Sequence, residues 1–95
     1  MDIRSAQLFL HLASSLNYSK TAEQLYVSPS TLTRIVQRLE DEVGVALLTR
    51  DKRSVRLTPA GTRFAQFAKQ YLENWHQLLI DLSQNSGALQ GEIRL

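Results

Sequence analysis

Ninety-five residues, 43% hydrophobic and 21% charged, make one small globular domain, or one domain with a tail, and exclude a disordered chain. The absence of cysteine excludes a disulfide framework, a thiolate zinc site and a redox pair, and fits a reducing cytoplasm. Net charge is only +2, but residues 28–63 hold seven basic against four acidic side chains, densest at 50–56, a local stripe that suits phosphate binding but is, taken alone, more commonly a solvated charged face.

With only 4 Gly and 2 Pro, long helices are favoured over a turn-rich β fold, and the apolar spacing predicts four of them. The first runs from about Ile3 to Ser14 behind Asp2 as N-cap, with Ile3, Ala6, Leu10 and Ala13 on one stripe that Leu8, Phe9 and Leu12 widen. His11 cuts the apolar run Leu8-Phe9-Leu10, which is too short for a membrane span. Asn17-Tyr18 breaks this helix, and a short second one, Lys20 to Leu25, follows Ser19 as its cap. Tyr26-Val27 is a tight connection. The third helix opens at Ser28-Pro29, because Ser caps well and Pro has no N–H to leave unpaired in the first turn. Leu32, Ile35, Val36 and Leu39 form its buried stripe; Ser30, Thr31, Thr33, Arg34, Gln37 and Arg38 face outward, and Gly44 ends it as a left-handed C-cap.

Two extended pieces, about 47–49 and 54–57, flank the polar loop Arg50-Asp51-Lys52-Arg53 and alternate like a half-buried hairpin. Thr58-Pro59 repeats the cap signal and opens a long fourth helix. Its Phe64, Ala68, Tyr71, Trp75, Leu78 and Leu82 follow an a/d heptad seam, the pattern of a helix seeking a partner helix. Asn85-Ser86-Gly87 is expected to stop it, after which 91–95 alternates like the first strand of a further unit.

Ala22, Leu25, Val27, Leu32 and Ile35 have the spacing of the buried positions in a helix-turn-helix, which would project the start of the second helix toward a major groove. The same spacing fits an ordinary αα corner, and Tyr26 stands where many such motifs carry Gly. The exposed face weighs toward DNA: Ser30, Thr33, Arg34 and Gln37 are hydrogen-bonding side chains suited to base edges or phosphates, and none is acidic. Glu40, Asp41 and Glu42 lie at the far end. The loop 50–53 then reads as a wing placing a guanidinium on backbone or in the minor groove.

These stretches resemble the N-terminal DNA-binding domain of LysR-type bacterial transcriptional regulators. The resemblance rests on Phe9, the run Ser19 to Ser28, Leu32-Thr33-Arg34, Gln37 to Glu40, Leu47, Arg50, Arg53, Val55 to Thr58 and Ala60-Gly61, and covers about residues 1–85. It implies a mainly α fold, a winged helix-turn-helix over 1–58 with a short two-stranded wing, and a long linker helix over 59–86 through which two subunits dimerise. Residues 87–95 would be the hinge and start of an effector-binding domain that senses a small molecule; no cofactor is expected within the 95 residues themselves. The implied partners are double-stranded operator DNA and a second copy, with tetramers in a full-length protein, in a bacterial cytoplasm.

By position, Pro29, Ser30, Thr33 and Arg34 match the family's base-reading turn and Arg53 its wing arginine. Ser19, Thr31, Gln37, Arg38 and Arg50 match backbone or flanking contacts, and Phe64, Ala68, Tyr71, Trp75, Leu78 and Leu82 the dimer seam. Two departures stand out. Ser30 and Thr31 follow Pro29 where relatives often have Pro-Ala or Ala-Ala, and Leu48 replaces a common Phe. The Ser-Pro-Ser-Thr-Leu run resembles that of the family's isoleucine-valine biosynthesis branch.

Nothing in the sequence supports an enzyme. His11 and His76 are lone histidines without a ligand pair, Ser14, Ser15 and Ser28 have no base arranged beside them, and Glu40-Asp41-Glu42 reads as a solvated helix end. No glycine-rich phosphate loop is present. The competing functional class is a protein-interaction module whose long helix dimerises while the middle helices only pack.

Overall fold

The computed structural model describes residues 1–51 and 54–89, with side chains described to residue 84. Six elements follow in the order α1 (Ile3–Ser15), α2 (Tyr18–Gln24), α3 (Pro29–Val43), β1 (Leu48–Arg50), β2 (Val55–Leu57) and α4 (Pro59–Leu89). The fold is therefore mainly helical with a small two-stranded antiparallel wing.

Each boundary has a local cause. The Asp2 carboxylate accepts from the Ser5 amide at 2.7 Å and starts α1, and hydrogen bonding from Ser5 holds that carboxyl below its ordinary value. Leu16, in the left-handed region at φ 53°, ends it. The second helix corrects the sequence reading: Asn17, not Ser19, is its cap, and its side-chain oxygen accepts from the Lys20 amide at 2.8 Å. With this short amide on an extended residue as cap, the helix starts at Tyr18, two residues earlier than expected, and Ser19 lies exposed within the first turn. In α3 both predicted ends hold, Ser28 accepting from the Thr31 amide and Gly44 adopting φ 80°.

Leu48 pairs with Leu57, Thr49 with Arg56 and Arg50 with Val55. The first strand begins one residue later than expected because Leu47 is held from outside the ladder. Its amide donates to Glu40 Oε2 at 2.8 Å and its carbonyl accepts from the Thr58 amide at 3.0 Å. Thr58 caps α4 by accepting from the Gly61 amide while donating to the Ala46 carbonyl. Asn85-Ser86-Gly87 does not stop α4, which continues to Leu89, so residues 87–89 are helical. One helical Gly costs only about 1 kcal/mol and does not by itself end a long helix. The expected strand at 91–95 lies outside the described residues.

The core joins Leu8, Phe9 and Leu12 of α1, Ala22 of α2, Leu32, Val36 and Leu39 of α3, and Leu47 and Leu48. The start of α4 closes it. Phe64 meets Phe9 edge-on at 5.1 Å between centroids, Ala68 is fully buried, and the Tyr71 hydroxyl donates to the Met1 carbonyl. On the expected seam, Ala68 is thus fully buried within the protomer, while Phe64 and Tyr71 are half-buried beside α1 and the N-terminus.

Candidate nucleic-acid interface

The α2–α3 unit has the predicted helix-turn-helix packing. Ala22 is buried, so the two helices approach closely, and its carbonyl accepts from the Val27 amide at 3.0 Å across the turn. Leu32 is fully buried; Leu25, Val27 and Ile35 pack half-buried against the core. Tyr26 adopts φ 57°, the left-handed conformation that explains why Gly suits this position, and its ring is 94% exposed. The ring thus adds nothing to the core.

That packing presents the front of α3. Pro29, Ser30, Thr33 and Arg34 are all exposed. Among the described residues Arg34 has no hydrogen-bond or ion-pair partner, and no acidic side chain precedes Glu40 on this helix. A guanidinium left in this way keeps all five donors for a ligand. Thr31 differs from the sequence reading, being half-buried with its hydroxyl accepting from Ser28 at 2.8 Å, so it belongs to the cap as much as to the surface. Ser30 also lies within hydrogen-bond distance of the Ser28 hydroxyl. Gln37 is exposed, with its amide donating to Asp41 one turn on, and Arg38 is exposed.

The far end of α3 is structural, which sequence reasoning missed for Glu40. Its carboxylate accepts from the amides of both Leu47 and Leu48, tying the hairpin to the helix, while Glu42 pairs with the N-terminal ammonium at 3.3 Å. No spacing rule flags Glu40, since the amides it meets are seven and eight residues away.

The wing turn is closed by Asp51, whose amide donates to the Ser54 carbonyl and whose carboxylate accepts from the Ser54 amide and hydroxyl. The expected wing contact Arg53 lies outside the described residues. Arg50 does not simply extend into solvent: its guanidinium carbon sits 4.1 Å from the centroid of the Tyr18 ring. Burial pushes the Tyr18 hydroxyl up from its ordinary value, with the Arg50 charge opposing. Ser19, beside this pair, is exposed.

Among the described residues no cluster of three or more His, Cys, Asp or Glu could hold a metal, and no helix is long and apolar enough to cross a membrane.

Residues 3–62 match the family model described as bacterial regulatory helix-turn-helix protein, lysR family. The whole chain is 48% identical to the HTH-type transcriptional activator IlvY of Haemophilus influenzae, of which it spans 32%. Among solved structures it is similar to the BenM DNA-binding domain in complex with catB site 1 DNA, with a TM-score of 0.84 at 31% identity over 90% of this chain and 97% of that one. It is also similar to the CbnR DNA-binding domain in its DNA complex, with a TM-score of 0.83 at 34% identity over 92% and 99%. The chain belongs to the LysR family of bacterial regulatory helix-turn-helix proteins, and its winged helix-turn-helix is a LysR-type DNA-binding domain.

Proposed function

We propose that this chain is the operator-reading part of a longer cytoplasmic regulator and binds duplex DNA as a homodimer, with α3 of each subunit in a major groove. Pro29, Ser30, Thr33 and Arg34 read base edges. Ser19, Thr31, Gln37, Arg38 and Arg50 meet the flanking backbone, and the wing at 50–54, Arg53 included, meets backbone or minor groove. The observation that carries this reading is Arg34, an exposed guanidinium without an internal partner among the described residues, set between Ser30, Thr33 and Gln37 on the acid-free half of α3. Such a group grips guanine bidentately.

The dimer is held by the outer half of α4, where Trp75, Leu78 and Leu82 of the seam are exposed. Two half-sites about one helical turn apart, roughly 34 Å, would then be read together. Similarity to IlvY over all 95 residues supports the branch suggested by the Ser28–Leu32 run.

Selection from random duplex DNA at moderate salt tests the proposal and should enrich an interrupted palindrome. On the selected duplex Arg34→Ala should weaken binding by about 1–3 kcal/mol and relax preference at one position. No binding to any duplex would instead favour the interaction-module reading. Unchanged binding by Arg34→Ala would show that the recognition face is placed wrongly.

A further inference from the structure

Leu48 and Arg50 lie on the same face of β1, two residues apart, and Leu48 is buried. The strand therefore sets Arg50, itself exposed, on the side that overlooks the start of α2, where Tyr18 stands. Tyr18 is half-buried and packed against the core, so its ring is a fixed surface and not a mobile one. The pair borders a groove of about 300 Å³ that Asn17, Ser19, Asp51 and Ser54 also line, the Asp51 carboxylate being bonded to the Ser54 amide and hydroxyl. The guanidinium carbon lies 4.1 Å from the ring centroid, so the cation is held over the ring. Arg50 forms no ion pair among the described residues. In a helix-turn-helix the first helix of the motif crosses the DNA backbone, and here that helix is α2, whose first residue is Tyr18.

We propose that Tyr18 is a positioning residue for Arg50: its ring holds the guanidinium as a pre-set fork for a DNA phosphate at the start of α2. The inference rests on the DNA-binding reading above. A free arginine must give up side-chain freedom when it meets a phosphate, whereas one already stacked on a packed ring gives up less. The contact is to backbone, so it raises affinity for any sequence and carries no base preference.

The test uses the 95-residue chain and a random-sequence duplex of about three helical turns, followed by fluorescence anisotropy at fixed salt, with a thermal melt of each variant. Tyr18→Leu removes the ring and should weaken binding about two- to fivefold, the lower range of what immobilising one rotamer-rich side chain costs. Tyr18→Phe keeps the ring and should bind like the parent. Arg50→Lys keeps the charge, loses the planar stack and should weaken binding by a similar factor. Combining Tyr18→Leu with Arg50→Lys should cost no more than either change alone, because each removes the same arrangement. Should Tyr18→Leu fail to fold, Tyr18→Phe and Arg50→Lys still decide. Loss of affinity in Tyr18→Phe would assign the effect to the hydroxyl, and parental binding by Arg50→Lys would reduce Arg50 to a point charge; either overturns the proposal. So would fully additive losses. A parent chain that binds no duplex defeats the DNA-binding reading itself, a result distinct from all of these.

Discussion

In its first half α4 packs on the domain, with Ala68 fully buried and Phe64 set into Phe9 although Phe67 stays 51% exposed; from Trp75 to Leu82 the same helix leaves Trp75, Leu78, Leu79, Ile80 and Leu82 between 39% and 51% exposed. One continuous heptad seam thus has two different surroundings. The reason is length. α1 has 13 residues and spans about 20 Å, whereas the 31 residues of α4 span about 46 Å, so α1 covers only part of it. A heptad repeat specifies that a stripe is to be covered and is silent on what covers it. The inner half is a core element of the domain, and the outer half is an apolar surface of the kind that marks an interaction site.

The largest effect that would break this contrast is expected at Gly61. A Cβ there would lie 1.9 Å from the Leu47 carbonyl oxygen, a backbone atom that is itself bonded to the Thr58 amide. Gly61→Ala must therefore push α4 off the hairpin, and we expect a loss of about 3 kcal/mol, roughly 15 °C in melting temperature. A melt within a few degrees of the parent would mean that the inner half of α4 is loosely held and the contrast is false.

Next comes Phe64→Ala. Truncating a fully buried Phe costs about 3–5 kcal/mol, and Phe64 is half-buried, so about 2 kcal/mol is expected. The discriminating readout is concentration. As a core residue, Phe64 should lower the melting temperature equally in dilute and concentrated samples. If its loss instead reduced self-association and left the dilute melt alone, the sequence reading of Phe64 as a dimer contact would stand.

Much of this molecule was legible because its signals are local. Ser28-Pro29, Gly44 and Thr58-Pro59 satisfy or terminate helical backbone groups within three or four residues, and their elements fall where the sequence puts them. The exposed front of α3 was equally readable, since Leu32, Val36 and Leu39 fix which side of a 3.6-residue period is buried, and Ser30, Thr33 and Arg34 follow. What was not legible depends on distance through space. Glu40 reaches amides seven and eight residues away, Arg50 reaches Tyr18 across the hairpin, and Ala68 meets α1 from the other end of the chain. In α2 the error was a choice between two polar residues. Both Asn17 and Ser19 are good caps, and only the extended backbone at Asn17 decides between them.

The smallest expected effect on the folded protomer is also the sharpest test of the outer half. Leu78 is 44% exposed and lies beyond the reach of α1, so Leu78→Glu should change the melt of a dilute, monomeric sample by no more than about 0.5 kcal/mol. In a dimer held by this surface, the same carboxylate would have to be desolvated against an apolar partner, a cost far above that of an exposed charge. Sedimentation should then find monomers at concentrations where the parent pairs, and affinity for a duplex with two half-sites should fall toward that for one. An intact Leu78→Glu dimer would mean that another surface joins the subunits. A large loss of dilute stability would mean that Leu78 already has a partner within its own chain, and the division of α4 into a core half and a pairing half would fail.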